Sequence, residues 1–201
     1  MKMINLVILP LMLGFVLAIS LASPSSSAEQ TIKGNMICVE VDEEGNLQAV
    51  DKAECTGLFV VVGDDGKLYT LYGSEEKMKE MAKKAEENKV SGEVGGHQRG
   101  WILYASPIAK GQKPAEKTVE GTIVCLIPNY EKATVTPVVA QGPCNELTPH
   151  AHVIHTKDGQ IYALHGSYEA IQKLEASPEK TNAKITGKLQ GNQGAWILFV
   201  E

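Results

Sequence analysis

Thr118-Val-Glu-Gly121-Thr-Ile-Val-Cys125 decides the fold, because the chain carries a second version of it, Thr31-Ile-Lys-Gly34-Asn-Met-Ile-Cys38. Further along the chain, Leu68–Gly73 matches Ile161–Gly166 in the same order. The chain is therefore one domain written twice. Positions that both copies share are expected to serve the fold. Positions that differ are where a function of one copy would lie.

Both copies predict the same order of elements from their apolar alternation, turn residues and helix caps. In the first copy we expect a helix from Ser74 to about Asn88 and strands at Ile32–Val41, Leu58–Val62, Lys67–Tyr72, Val90–Val94 and Trp101–Ala105. In the second copy we expect a helix over Tyr168–Ala176, capped by Ser167, and strands at Thr118–Ile127, His150–Thr156, Gln160–His165, Asn182–Leu189 and Trp196–Val200. A polar loop, residues 128–149, follows the first of these strands.

Strand, hairpin, helix and hairpin is an order that resembles the OB-fold, a small five-stranded Greek-key barrel. The resemblance covers nearly all of residues 31–201 and rests on element order alone. It implies a mainly β protein of two tandem OB-like barrels, each with one helix between its third and fourth strands. An α+β sheet with one helix per repeat is the alternative.

The N-terminus is typical of a secretory signal peptide. Lys2 is followed by an apolar run, Leu6–Ala22, and then by Ser- and Pro-rich sequence with a plausible cleavage site before Glu29. The apolar run also leaves an uncleaved anchor open. We therefore expect a periplasmic or secreted protein. Its predicted parts are a signal peptide at 1–28, repeat 1 at 29–105, a linker at 106–117 and repeat 2 at 118–201.

Charge and motifs exclude several classes of function. The formal net charge is −5, which argues against binding to nucleic acid or to an anionic membrane surface. The only membrane contact we expect is the N-terminal anchor, if it is retained. The chain has no Gly-x-Ser-x-Gly motif and no Gly-rich phosphate loop, so we expect no enzyme activity.

Four cysteines occupy equivalent places, two in each copy. An even count in an exported chain favours disulfides. The repeat predicts the pairs Cys38–Cys55 and Cys125–Cys144, each worth about 3 kcal/mol of stability. Metal thiolates are the alternative, but neither copy has a Cys-x-x-Cys pair.

Four of the five histidines lie in the second copy and have no histidine counterpart in the first. Aligned on the Asp-Gly turns, the first copy has Gly57, Phe59, Val62 and Tyr72 where the second has His150, His152, His155 and His165. The simplest alternative to a metal site is that these histidines have ordinary roles on the surface or in the core. Four within so short a stretch, two of them at i and i+2, nevertheless make metal binding a candidate function of this repeat.

The turn at Asp158-Gly159 decides which histidines meet. Side chains at His150 and His152 leave the same face of a strand. A two-residue turn places His152 directly opposite His165, which gives three converging imidazoles. A three-residue loop that includes Lys157 instead turns His165 away from the pair. We expect the two-residue turn.

The sequence thus favours an exported, non-enzymatic protein that binds copper or zinc through His150, His152 and His165. His155 and Glu146 are further candidate ligands, and b-type haem is a weaker variant. One alternative is a protein-interaction or assembly subunit of a cell-envelope complex that binds no metal. A third is an oligosaccharide-binding module that uses the recurring Tyr69 and Tyr162.

Overall fold

The structure is a computed structural model, and it describes residues 29–50, 55–83, 88–106, 114–192 and 195–201. Within these residues the first repeat consists of β1 (Gln30–Val41), β2 (Leu47–Val50), β3 (Leu58–Gly63), β4 (Leu68–Tyr72), α1 (Glu75–Lys83), β5 (Lys89–His97) and β6 (Gly100–Tyr104). The second repeat consists of β7 (Ala115–Asn129), β8 (Thr134–Val138), β9 (Ala151–His155), β10 (Ile161–Gly166), α2 (Tyr168–Ala176), β11 (Ala183–Gln190) and β12 (Trp196–Val200).

Each repeat closes into a five-stranded barrel. The first runs β1-β3-β4-β6-β5 and closes through a β1–β5 pairing, and the second runs β7-β9-β10-β12-β11 and closes through β7–β11. In each barrel one neighbouring pair is parallel, β4 with β6 and β10 with β12, and the other barrel pairs are antiparallel. This is the OB-like strand order, with one helix between the third and fourth barrel strands. The prediction of two tandem OB-like barrels is confirmed.

A shared glycine lets the long first strand of each barrel serve two neighbours. Residues 30–33 of β1 pair with β5, and from Gly34 onward the strand pairs with β3. Gly121 is at the equivalent point of β7. A Cβ there would lie 2.2 Å from the carbonyl oxygen of His155, and at Gly34 it would lie 2.3 Å from that of Val62. The recurring glycine therefore permits close backbone approach at the bend.

Two short edge strands were not predicted, β2 and β8. β8 lies inside the segment expected to be a loop, where it pairs with the second half of β7. Ala133 adopts a left-handed φ of 49° in the connecting turn, and Asn129 accepts a hydrogen bond from Lys132 N there. A five-residue edge strand with a Pro and only one buried side chain gives too weak a pattern to separate from a loop.

The predicted two-residue turn at Asp158-Gly159 is wrong. Ile161 pairs with His155, and Thr156 N donates to Gln160 O, so the loop is the three-residue Lys157-Asp158-Gly159. Gly159 takes a left-handed φ of 81°, and the Thr156 hydroxyl hydrogen-bonds Asp158 and Gln160. The left-handed conformation of the glycine suits a three-residue hairpin loop. This register moves His165 to the opposite face of the sheet from His152.

The buried apolar side chains form three cores, one inside each barrel and one between the two barrels. One fills the first barrel and includes Met36, Phe59 and Tyr69, and a second fills the other barrel around Ile123 and Ile171. The third lies between the barrels, where outward-facing side chains of both pack against each other. Its buried members include Val39, Leu58, Val60 and Ile102 from the first barrel and Val124, Leu126, Val153 and Ala163 from the second.

Several sequence predictions reach beyond the described residues. The predicted signal peptide, residues 1–28, lies outside them, as do residues 107–113 of the predicted linker and residues 84–87 of the predicted helix. β7 begins at Ala115, inside the segment predicted as linker. No helix in the described part of the chain is both long enough and apolar enough to cross a membrane.

Candidate metal centre

Four side chains of the second repeat meet at one end of its barrel. Cys125 in β7 is the direct partner of His152 in β9. His150 immediately precedes β9, and Cys144 lies in the loop between β8 and β9. One donor atom from each residue lies within 4.8 Å of the others, and all four residues are buried. This Cys/His cluster could hold a metal ion.

Strand parity points two of the four into the barrel. Ile123 and Ile154 belong to the barrel core, and alternate residues of a strand share a face. Cys125 is two residues beyond Ile123, and His152 is two residues before Ile154. Both therefore face inward, and the cluster extends the barrel core.

Backbone contacts fix the loop that carries Cys144. Its amide donates to the carbonyl of Glu175 near the end of α2 (2.9 Å), and its own carbonyl accepts from Leu147 N (3.1 Å). Lys180 is also buried, and its ammonium donates to the carbonyls of Leu174, Glu175 and Ser177. A cation at these carbonyls caps the C-terminal end of the helix to which the Cys144 amide is bonded.

The tautomer of His150 follows from its hydrogen bond. Its Nδ1 lies 2.7 Å from the carbonyl oxygen of Thr148, so this nitrogen carries the proton and donates. Nε2 then has a free lone pair, and this buried atom has no hydrogen-bond partner in the described part of the chain. A ring fixed through one nitrogen with the other bare is the arrangement of a metal-ligating histidine.

His152 lies beside His150, with ring centroids 4.4 Å apart. Its Nε2 is 3.6 Å from Cys144 Sγ and 3.8 Å from a carboxylate oxygen of Glu175. Burial lowers the pKa of His152, so the ring is neutral and the approach to Glu175 is not an ion pair. A neutral imidazole is the form that binds metal.

The expected second disulfide is corrected, because Cys125 and Cys144 are both free thiols. A hydrogen bond from Cys125 lowers the pKa of Cys144, and contacts with His150 and His152 reinforce the effect. The same hydrogen bond, followed by burial, raises the pKa of Cys125. The two cysteines are therefore hydrogen-bonded to each other beside two imidazoles and are not bridged. The first predicted disulfide, Cys38–Cys55, is confirmed.

A buried ion pair connects the cluster to the first barrel. Glu175 is 0% exposed, and one of its oxygens pairs with Arg99 from the turn between β5 and β6. The other oxygen is the one that faces His152, and no other described residue hydrogen-bonds it. Arg99 also lies over the ring of Tyr168. The edge of the cluster is thus formed jointly by both barrels.

One of the donor distances matches that expected around a tetrahedral ion. Bonds near 2.3 Å to sulfur and 2.0–2.1 Å to nitrogen, at the tetrahedral angle, place sulfur and nitrogen about 3.6 Å apart. The Sγ of Cys144 and Nε2 of His152 are separated by 3.6 Å. Two thiolates and two neutral imidazoles form one of the usual donor sets of zinc.

The other predicted ligands lie elsewhere. His165 is buried between the barrels, where Nε2 accepts from the Thr70 hydroxyl (2.7 Å) and Nδ1 donates to Gly100 O (3.2 Å). His155 is half-buried at the end of β9, and Glu146 is exposed. Of the predicted histidines the structure brings together His150 and His152 only.

For Cys125 and Cys144 the sequence favoured a disulfide over metal thiolates, and it gave no prediction of the Arg99–Glu175 pair. The sequence does contain a signal for the cysteines, since Cys125 and Cys144 share a repeat with the extra histidines whereas Cys38 and Cys55 do not. Nothing in the sequence signals the ion pair, because it joins a turn of one barrel to a helix of the other.

Comparison with known proteins adds no assignment: no family model matches the chain, and no curated protein or solved structure is significantly similar to it.

Proposed function

We propose that the protein is an exported zinc-binding protein whose second barrel holds one Zn²⁺ through Cys125, Cys144, His150 and His152. The observation that carries the proposal is the convergence of these four buried donors within 4.8 Å. The two thiolates balance the ion's charge, so the loaded site is neutral and can be buried at low cost.

Most of the buried polar side-chain atoms that lack a hydrogen-bond partner lie in or beside the Cys/His cluster. Five buried side-chain atoms have no hydrogen-bond partner within the described residues. Four of them belong to Arg99, His150, His152 and Glu175, that is, to the cluster and its immediate surroundings. Buried polar groups are normally satisfied, and among these atoms the bare Nε2 of His150 is one that a metal ion in the cluster would satisfy.

The donor set and burial favour a fully protein-ligated zinc over a catalytic zinc. Catalytic sites use three protein ligands and leave a fourth position open to water, whereas structural sites take four. This cluster offers four ligands, each at most 2% exposed. Copper is the other metal that such sulfur and nitrogen donors bind, and metal analysis distinguishes the two.

Export is supported by two features of the chain. The first 28 residues have the composition of a signal peptide. The Cys38–Cys55 disulfide is typical of proteins from oxidising compartments. We place the protein in the periplasm or outside the cell on these grounds.

Metal content tests the proposal. Protein purified without a His-tag is expected to contain one zinc per chain by inductively coupled plasma mass spectrometry. His152→Ala and Cys144→Ser are expected to lose it. His155→Ala is the matched control, because His155 lies on the same strand outside the cluster and its loss should leave the zinc bound.

Cobalt substitution tests the geometry independently. Co²⁺ in the site should give the visible bands of a tetrahedral ion together with thiolate charge-transfer absorption, and Cys144→Ser should weaken the latter. Substoichiometric metal that is the same in the wild type and in both cluster variants would refute the proposal.

A further inference from the structure

The duplication shows one cysteine pair in two chemical states. Cys38 and Cys55 in the first barrel are bridged, with Cα atoms 5.6 Å apart. Cys125 and Cys144 occupy the equivalent places in the second barrel and are free. In both barrels the first cysteine lies in the second half of the long first strand, and the second lies in the connection that leads to the next barrel strand. The scaffold therefore accommodates a disulfide at this position.

The neighbours of the cysteines differ between the barrels. Phe59 of β3 is the strand partner of Cys38, and His152 of β9 is the strand partner of Cys125. In the alignment of the two hairpins Gly57 likewise corresponds to His150. The barrel with Phe59 and Gly57 at these positions carries the disulfide, and the barrel with His152 and His150 there carries the thiols. Metal ligation and a disulfide are thus alternative uses of the same pair of positions.

We infer that Cys125 and Cys144 are a reversible redox pair, and that their oxidation to a disulfide releases the bound metal. This inference rests on the proposed zinc site. It adds regulation of that site by a small peroxide. In an oxidising compartment the metal protects the thiolates, and oxidation would leave only two imidazole ligands for the ion. A dithiol reductant, itself oxidised to a disulfide in exchange, reduces the bridge and restores both thiolates and with them the four-ligand site.

The reaction balances with a hydroperoxide as the two-electron oxidant. The sulfur of Cys144 attacks one peroxide oxygen, which breaks the O–O bond, gives a sulfenic acid and releases hydroxide. The thiolate of Cys125 then attacks that sulfur, forms the S–S bond and expels a second hydroxide. Two protons convert the hydroxides to water. Overall, the zinc dithiolate, one hydrogen peroxide and two protons give the disulfide, two waters and free Zn²⁺.

The structure supports Cys144 as the attacking residue. It lies in a loop, whereas Cys125 is held in a strand between two paired neighbours. Both sulfurs are at most 1% exposed, so a peroxide reaches them more readily than a bulky disulfide does.

Zinc-loaded full-length protein treated with hydrogen peroxide tests the inference. A chromogenic chelator should report release of one zinc per chain while the titratable thiols fall from two to none. Tryptic peptides 118–132 and 133–157 carry one free cysteine each. They should appear joined, with the mass of two hydrogens lost. Dithiothreitol followed by zinc should restore the original metal content.

Two variants serve as controls. Cys38→Ser/Cys55→Ser removes the other disulfide and should release zinc at the same peroxide concentration as the wild type. His152→Phe introduces the first barrel's residue and should yield protein already bridged at Cys125–Cys144 after purification in air.

Each outcome is decisive. Zinc that stays bound, or zinc released with peptides 118–132 and 133–157 unlinked and over-oxidised, overturns the redox inference and leaves the zinc site intact. Protein that never contains zinc overturns the proposed function and this inference with it.

Discussion

Replacing Arg99 should destabilise the protein strongly, because its partner cannot reach water. The Glu175 carboxylate is 0% exposed and the Arg99 side chain 16% exposed. In the described part of the chain, Arg99 is the only cationic side chain within ion-pair distance of the Glu175 carboxylate. The ring of His152 also lies near this carboxylate, but it is neutral. Arg99→Met keeps most of the side-chain volume and leaves the buried carboxylate without its counter-charge.

The expected loss is about 3–5 kcal/mol, the cost of removing one partner of a buried ion pair. For a chain of this size the melting temperature should fall by about 6–20 °C. The double variant Arg99→Met/Glu175→Gln should be more stable than Arg99→Met alone, because it no longer buries an uncompensated charge.

Urea unfolding followed by circular dichroism, at fixed zinc concentration, measures the four free energies of the double-mutant cycle. Lys184→Met is the matched control. Its ion pair with Glu120 is 70% and 53% exposed, so the loss should stay below about 1 kcal/mol. If Arg99→Met costs no more than Lys184→Met, or if the double variant is less stable than Arg99→Met, the argument from burial is wrong.

Three further predictions concern the scaffold. Burial lowers the pKa of His165 to about 3, so it is neutral when folded and protonates on unfolding below its ordinary pKa of 6.5. Zinc-free protein should therefore lose about 2 kcal/mol between pH 7 and pH 5 from this group, and the loss should be absent in His165→Gln. Thr70→Val removes the donor to His165 Nε2 and should cost about 1–3 kcal/mol in urea unfolding, while Thr70→Ser should cost less. Gly121→Ala places a Cβ 2.2 Å from a carbonyl oxygen and should cost about 1–3 kcal/mol, whereas Gly142→Ala, with nothing within 4 Å, should be nearly neutral in thermal unfolding.

The fold was predictable because the two copies confirm each other. A strand pattern that occurs once is weak evidence, but the same pattern with Gly34 and Gly121 at matching points shows that both strands bend there. The edge strands β2 and β8 lie outside the barrels, so barrel closure places no demand on their sequences. Their short and partly polar segments therefore gave no comparable signal.

Two of the four side chains of the Cys/His cluster were predicted as ligands from the sequence. His150 and His152 are two apart on one strand, so they share a face whatever the hairpin register. The third ligand depended on the loop length, because one residue more at Lys157-Asp158-Gly159 exchanges the two faces of the following strand. His165 therefore points to the first barrel, where Thr70 and Gly100 satisfy both of its nitrogens.

The cysteines show why a repeat has to be compared position by position. Because Cys125 and Cys38 occupy equivalent places in the sequence, they are expected to occupy equivalent places in the fold. Both do lie in the first strand of their barrel and pair with the next barrel strand. Equivalent chemistry does not follow, because the reactivity of a thiol depends on the side chains around it. Phe59 gives Cys38 a neighbour that cannot bind a metal, and Cys38 is bridged. His152 gives Cys125 a neutral imidazole at the same register position, and this difference in the partner strand gives the second pair a donor set that could hold a metal ion.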